Sequence, residues 1–311
     1  MLAELYKNKK TILKKAQEFF KNSNSLIPKI GCELEFFLLD ENAQKVVDER
    51  PIAEFIFELE KKLTEEFSLF YEVEKEQGAS QIEIKTIFTS DLSRLADELE
   101  NAKKFIKSFA EEKKLIASFA AQPFVDDCGS ALQFNISLHD ENDENVFSDK
   151  KILENVACAL LELTNSMMIF LAPKAEDYAR FCVSTNRDLF KKGKFTAPVN
   201  LSFGADNRTC AIRIPVKKES AKIVHGKRLE YRVATADADS TLCIATILLA
   251  VSHGIKNQKS EFKQIFGNAF DEQYKIKNFC KSLEEAEESF FAEGNCVREF
   301  FEKNLDFPCD E

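Results

Sequence analysis

Carboxylates, carboxamides and arginines recur at every second position in four separate stretches of this chain. Glu33 and Glu35 alternate with Leu34, Phe36 and Leu38, and Gln81 and Glu83 with Ile82 and Ile84. Gln133, Asn135 and Ser137 alternate with Leu132, Phe134 and Ile136, and Arg228, Glu230 and Arg232 with Leu229, Tyr231 and Val233. Successive side chains of a strand point to opposite faces, so each stretch carries one functional face and one apolar face. Taken singly, each fits an ordinary antiparallel sheet with a wetted side. Taken together they ask for more, because acids brought face to face repel one another unless a cation neutralises them. Hard oxygen ligands suit Mg²⁺ or Mn²⁺ rather than zinc. Arginine adds a fixed fork of donors for phosphate or carboxylate oxygens.

The elements that must carry these residues follow from periodicity. Residues Leu5–Phe20 have helical spacing with a lysine-rich outer face, Gly31–Asp40 alternate as a strand, and Pro51–Phe67 form a helix with proline in its first turn. Strands are expected at Phe70–Glu76 and Ser80–Phe88 across a turn at Gly78, then a long helix over Leu92–Lys114 capped by Ser90. Leu115–Phe124 and Ser130–His139 are the next strands, followed by an acidic loop and an apolar helix at Ile152–Leu171. Ala197–Phe203 and Thr209–Val216 flank Gly204–Asn207 in a hairpin pattern, Arg228–Val233 is a further strand, and the chain from about residue 240 is expected to be nearly all helical. Strands in runs with helices between and after them predict an α+β fold with a mainly antiparallel sheet.

Composition narrows the partners. The chain has 311 residues, 44% hydrophobic and 31% charged, which fits a globular protein and excludes a mainly disordered one. Its net charge of −10 argues against general affinity for nucleic acid or an anionic membrane. Nine cysteines without a C-x-x-C pair read as free thiols in a reducing cytoplasm. The N-terminal residues have no apolar h-region, and the uncharged run Ser240–Ile255 is short for a membrane span and reads as a buried helix.

Five segments, in chain order, resemble the catalytic domain of the glutamine synthetase family. They are Cys32-Glu33-Leu34-Glu35-Phe36-Phe37 against G-x-E-x-E-F-F, and Glu76-Gln77-Gly78-Ala79-Ser80-Gln81-Ile82-Glu83 against E-x-G-P-G-Q-x-E. The run Gly129–Leu138 is similar to G-S-G-x-H-x-H-x-S-L, Asn207–Pro215 to N-R-S-A-x-x-R-I-P, and Arg228–Arg232 to R-x-E-x-R. The resemblance implies a curved, mainly antiparallel sheet with flanking helices over residues 31–311, preceded by a helical extension over residues 1–30. It implies ATP as a substrate, one or two Mg²⁺ or Mn²⁺ ions, a small carboxylate, and ammonia or an amine. The carboxylate attacks the γ-phosphate, and the acyl phosphate so formed is displaced by the amine.

The implied roles follow position by position. Glu35, Glu76 and Glu83 match the ligands of one metal, and Glu33, Glu230 and Gln133 fall on those of a second. Arg208, Arg213 and Arg228 match arginines near the phosphates and the acyl phosphate, and Arg228, Asn135 and Ser137 fall on the nucleotide side. Arg180, Gly129 and Arg232 lie on the substrate side.

Departures from the family pattern keep a second reading open, that of a non-catalytic nucleotide-binding or regulatory member. Gln133 stands where the family has a histidine of the second metal site, and an amide oxygen could preserve a weaker site. Thr196 stands in place of a glutamate on the loop over the ammonium site, and Cys128 in place of an asparagine beside the substrate. Residues 181–195 are longer and lysine-rich, and read as a mobile surface loop. His139, His225 and His253 miss the metal positions and read as surface or structural histidines. The family carries a small β-domain before its first acidic strand that completes a neighbour's site, whereas about thirty residues stand there here. A homo-oligomer stays open, but a ring with shared sites is not expected from them. A glutamate–cysteine ligase or guanidino kinase would share the sheet but fits these motifs less well.

Overall fold

The computed structural model describes residues 1–194, 196–216, 226–257 and 262–304. Its centre is an eight-stranded sheet. In chain order the strands are β1 (Ile27–Leu39), β2 (Phe70–Lys75), β3 (Gln81–Thr86), β4 (Ile116–Ser118), β5 (Leu132–His139), β6 (Phe203–Ala205), β7 (Ile212–Ile214) and β8 (Leu229–Tyr231). Their spatial order is β2-β3-β1-β5-β8-β7-β6, with β4 also on β1. Every named pair is antiparallel except β6–β7. The helices are α1 (Leu2–Lys7), α2 (Lys9–Ser23), α3 (Glu49–Glu66), α4 (Leu92–Glu112), α5 (Lys150–Leu171), α6 (Val183–Lys191), α7 (Ser240–Lys256), α8 (Leu283–Phe291) and α9 (Cys296–Asn304). The expected α+β architecture with a mainly antiparallel sheet is the one found.

The apolar faces of the strands drive the packing. Leu34, Phe36, Leu38, Ile82, Ile84, Leu132, Phe134, Ile136, Leu229 and Tyr231 are all fully buried in one core with α2, α3, α4, α5 and α7. Phe36 meets Phe55 of α3 edge-on, and the Tyr231 hydroxyl lies 2.9 Å from Thr164 Oγ1 of α5. α5 is long and apolar enough to cross a membrane, but 67% of its most apolar stretch is buried inside the fold. All eight cysteines among the described residues are free thiols, and Cys309 lies outside them.

Several local expectations are corrected. The helix expected over Leu5–Phe20 is two, with a break at Asn8. α4 is capped by Asp91, whose carboxylate accepts from Arg94 N at 3.1 Å, rather than by Ser90. Of Leu115–Phe124 only β4 is a strand, because Gln122 turns the chain by donating to the carbonyls of Phe124 and Asp127. Gly204–Asn207 is not a hairpin turn: β6 and β7 run parallel. The Asn207 carboxamide accepts from Thr209 N at 3.1 Å and Thr209 Oγ1 at 2.6 Å, an Asx turn that folds the chain back before β7 begins. Residues 262–282 are irregular apart from a short 3₁₀ turn, since their backbone bonds the Val199–Phe203 segment instead of itself. Residues 181–195 contain α6 where an open loop was expected.

Gly254 sets the closest approach of α7 to α5. A methyl group there would lie 2.8 Å from Val156 Cα and 2.9 Å from the Asn155 carbonyl oxygen, both backbone atoms that cannot swing aside. The variant Gly254→Val is therefore expected to lose roughly 1–3 kcal/mol of stability through overpacking. Urea unfolding followed by circular dichroism measures it, and an unchanged midpoint would contradict this account.

Candidate active site

The polar faces of the strands are largely buried, with Glu33 and Arg228 half-buried. Gln81, Glu83, Gln133, Asn135, Ser137, Glu230 and Arg232 are each at most 6% exposed. The sheet register brings them together: Glu35 stands opposite Glu83, Glu33 opposite Gln133, and Glu230 opposite both Asn135 and Arg213. Glu35, Glu76 and Glu83 offer carboxylate oxygens that all lie within 4.8 Å of one another. Glu76 reaches the cluster from the turn after β2, where Gln81 accepts from Gly78 N at 3.1 Å and so holds the turn closed.

This spacing is electrostatically costly. Burial, then the charge of Glu76, raises Glu35 to about 7. Burial, then Glu33, Glu35 and Glu76, pushes Glu83 well above the usual carboxylate range, although Lys85 lies 3.4 Å away. Glu35 is held in place by Ala131 N at 2.9 Å and by the side-chain amides of Gln133 at 2.6 Å and Gln81 at 3.2 Å. Three oriented acids, two of them raised by burial and then by their neighbours' charge, fit a hard divalent cation, which would turn that repulsion into attraction.

The second group behaves differently. Glu230 accepts from Arg213 Nη1 at 2.7 Å and from Arg232 Nη1 at 2.6 Å. Burial works to raise its pKa, but Arg232 and Arg213 outweigh burial and hold it below the ordinary range. Gln133 accepts from Arg232 Nη1 at 2.6 Å, and Asn135 donates to Glu33 at 3.0 Å while accepting from Arg228 Nε at 2.8 Å. Burial, then Glu230, raises Glu33. Each carboxylate and amide oxygen named for a second metal, except one of Glu33, thus already has a donor. These residues do not fit a second ion as they stand.

Around them lie the residues expected to face substrate and nucleotide. Arg180, 3% exposed, donates to the carbonyls of Val233 at 2.8 Å and Arg232 at 3.1 Å, so most of its fork serves the backbone. The Nε atoms of Arg180 and Arg232 and the Thr196 hydroxyl are buried without a hydrogen-bond partner among the described residues. Gly129 is required where it stands, because a side chain would meet the Ala121 carbonyl at 2.8 Å and the Arg180 stem at 2.9 Å. Ser137 contacts the Lys29 carbonyl at 3.4 Å. Glu35, Glu76, Gln133, Arg180, Arg232, Cys128, Gly129, Thr196 and Arg208 line one narrow cleft of about 30 Å³. Thr196 and Arg208 also line a larger cavity of about 590 Å³, walled by Phe190, Ile265, Phe266 and Arg213.

Two residues beside these groups escaped the sequence reading. Asp127 is 1% exposed and accepts from Ala79 N at 3.0 Å and Cys128 N at 2.9 Å. Lys45 and Lys194 also pair with it. Burial opposes its ionisation, but Lys194 and the backbone donors prevail and lower it to about 2. No alternation marks a turn residue, so its neighbour in the Asp126-Asp127-Cys128-Gly129 turn was the one available signal. Lys85 was legible in principle, lying two positions beyond Glu83 on the same face. His139 and His253 are away from the acids and have local partners, and His225 lies outside the described residues.

Comparison with known proteins gives the family and the fold. Residues 56–306 match the family model for the glutamine synthetase catalytic domain. The chain is 30% identical over 203 residues to γ-glutamylputrescine synthetase of Escherichia coli, covering 64% of this chain and 40% of that protein. It is 29% identical over 234 residues to the glutamate–isopropylamine ligase of a Pseudomonas species, covering 73% and 47%. It is 28% identical over 250 residues to the glutamine synthetase of Pyrococcus abyssi, covering 79% and 51%. The chain thus spans about half the length of these relatives. Among solved structures, GmaS without ligand superposes with a TM-score of 0.77 at 20% identity, over 95% of this chain and 71% of that one, a likeness of fold. The segment around Glu33 and Glu35 precedes the matched range, yet the sheet register sets it beside Glu83, which lies inside that range. With four-fifths of its length matched by that model, the chain belongs to the glutamine synthetase family, through its catalytic domain.

Proposed function

We propose that this chain provides the active site of an ATP-dependent ligase that joins a small carboxylate to an amine through an acyl phosphate. The observation that carries the reading is the convergence of Glu35, Glu76 and Glu83 within 4.8 Å from two strands and a turn. Those three residues would hold one Mg²⁺ or Mn²⁺, whose chemistry is to screen phosphate charge and polarise a phosphoryl oxygen. The chain's own groups do the rest. Arg208 and Arg228 offer guanidinium donors to phosphate oxygens, Arg213 is held beside them by Asp206 and Glu230, and the unsatisfied Nε atoms of Arg180 and Arg232 suit a substrate carboxylate.

In the reaction so read, a carboxylate oxygen bonds to the γ-phosphorus and the bond to ADP breaks. The amine nitrogen then bonds to the acyl carbon, inorganic phosphate departs, and the amine's proton leaves to phosphate or water. Positioning two anions against each other is the main task, and it falls to fixed cationic donors. We assign the amine to the cavity that shares Thr196 and Arg208 with the acidic cleft. Threonine offers no negative charge to an ammonium ion, whereas Phe190, Ile265 and Phe266 offer apolar wall. A primary amine with a hydrocarbon substituent fits that lining better than ammonia. The free thiols suit a reducing cytoplasm. A second reading, nucleotide binding without turnover, draws on Gln133 and Glu230 being held by Arg232 rather than open to an ion.

Two outcomes are expected. With ATP, Mn²⁺ and a panel of small carboxylates led by glutamate, phosphate release should be faster with alkylamines than with ammonia, and Glu83→Gln should lower it on the order of 10²–10³-fold. No phosphate release with any pair would favour the second reading. The pH dependence provides an independent check. Glu35 and Glu83 have folded pKa values above the unfolded value of about 4.3. Their contribution to stability is therefore full below pH about 4 and falls as pH rises, for Glu35 through about 7 and for Glu83 in the same direction. Metal-free protein should melt lower at pH 8 than at pH 5.5, and Mn²⁺ should raise the melting temperature more at pH 8. An equal Mn²⁺ shift at both values would count against a cation on these acids.

A further inference from the structure

We infer that the guanidinium of Arg232 takes the place of a second cation, so that this cleft binds one divalent ion per chain, on Glu35, Glu76 and Glu83. The inference rests on the proposed metal-dependent function and refines it.

Arg232 sits on the polar face two residues beyond Glu230, and its Nη1 donates at 2.6 Å to Glu230 Oε1 and at 2.6 Å to Gln133 Oε1. Arg213 Nη1 takes the other oxygen of Glu230 at 2.7 Å. A buried carboxylate between two guanidinium groups is already neutralised, and a dication brought to it would face two positive charges at close range. Gln133 makes the arrangement directional. Its carbonyl faces Arg232 and its amide nitrogen donates at 2.6 Å to Glu35. Reversing the amide would set its NH₂ against a guanidinium and its carbonyl against a carboxylate, so the two neighbours fix its orientation.

Gln133 thereby links the two halves of the cleft. It turns its acceptor away from the three acids and toward the built-in cation, and it holds Glu35 from behind. Glu33 completes the pattern, with Oε1 accepting from Asn135 at 3.0 Å. A protein cation costs nothing to recruit, but unlike a metal it cannot exchange its ligands.

Mn²⁺ titration of the nucleotide-free full chain, by calorimetry and by electron paramagnetic resonance of free Mn²⁺, tests this. One ion per chain is expected in the wild type and in Glu230→Gln and Arg232→Lys, with affinity falling at least about tenfold in Glu76→Gln. In Arg232→Ala, Glu230 and Gln133 lose their shared donor, and a second ion per chain should bind. Two ions in the wild type, dropping to one in Glu230→Gln, would overturn the inference while leaving the proposed metal site intact. A folded Arg232→Ala that still binds one ion would also overturn it. No Mn²⁺ bound by the wild type would remove the metal site itself, and the inference with it.

Discussion

Buried carboxylates repel, and the polar side of this sheet is arranged around that fact. Five glutamates converge on one face, at Glu33, Glu35, Glu76, Glu83 and Glu230, and desolvation by the surrounding protein strengthens every charge–charge term among them. Two remedies are used side by side. Around Glu230 the protein supplies its own positive charge from Arg213 and Arg232, and that acid stays ionised. Around Glu35 and Glu83 it does not supply enough, and both acids are raised. An uncompensated buried charge is expensive for folding alone. Its presence here makes sense as preparation for a positively charged ligand.

The backbone makes this arrangement possible. Pairing of β1 with β3 on one side and β5 on the other puts Glu35 against Glu83 and Glu33 against Gln133 without any loop having to close over them. A slip of one residue in either register would move every polar group into the apolar core. The fully buried leucines, isoleucines and phenylalanines of the opposite face therefore fix the site as firmly as any contact within it.

Much of this was legible in the sequence. Alternation identified the polar faces of β1, β3, β5 and β8, because period two is imposed by the pleat and survives any tertiary context. Helices with a continuous apolar stripe, such as α5 and α7, were equally clear. What escaped has a common cause. The parallel pairing of β6 with β7, the irregular path of residues 262–282, and the capture of Lys194 by Asp127 all depend on partners far along the chain. A Gly-Ala-Asp-Asn stretch between two apolar runs looks like a hairpin turn until a side chain of the turn bonds forward and reverses the chain. Gln133 is the most instructive position. Its type suggested a weakened ligand, and only its two neighbours reveal which way its carbonyl points.

Besides pairing with Lys45, Asp127 gathers three further pieces of chain beside the cleft: the turn at Ala79, its own turn at Cys128, and the segment that follows α6 through Lys194. Three strings knotted at one point cannot be loosened one at a time. Ordering any of them around a ligand therefore steadies the other two, and a change in the lysine-rich segment is felt at the glycine beside Arg180. Selectivity for the incoming molecule can in this way be tuned from residues that never touch it.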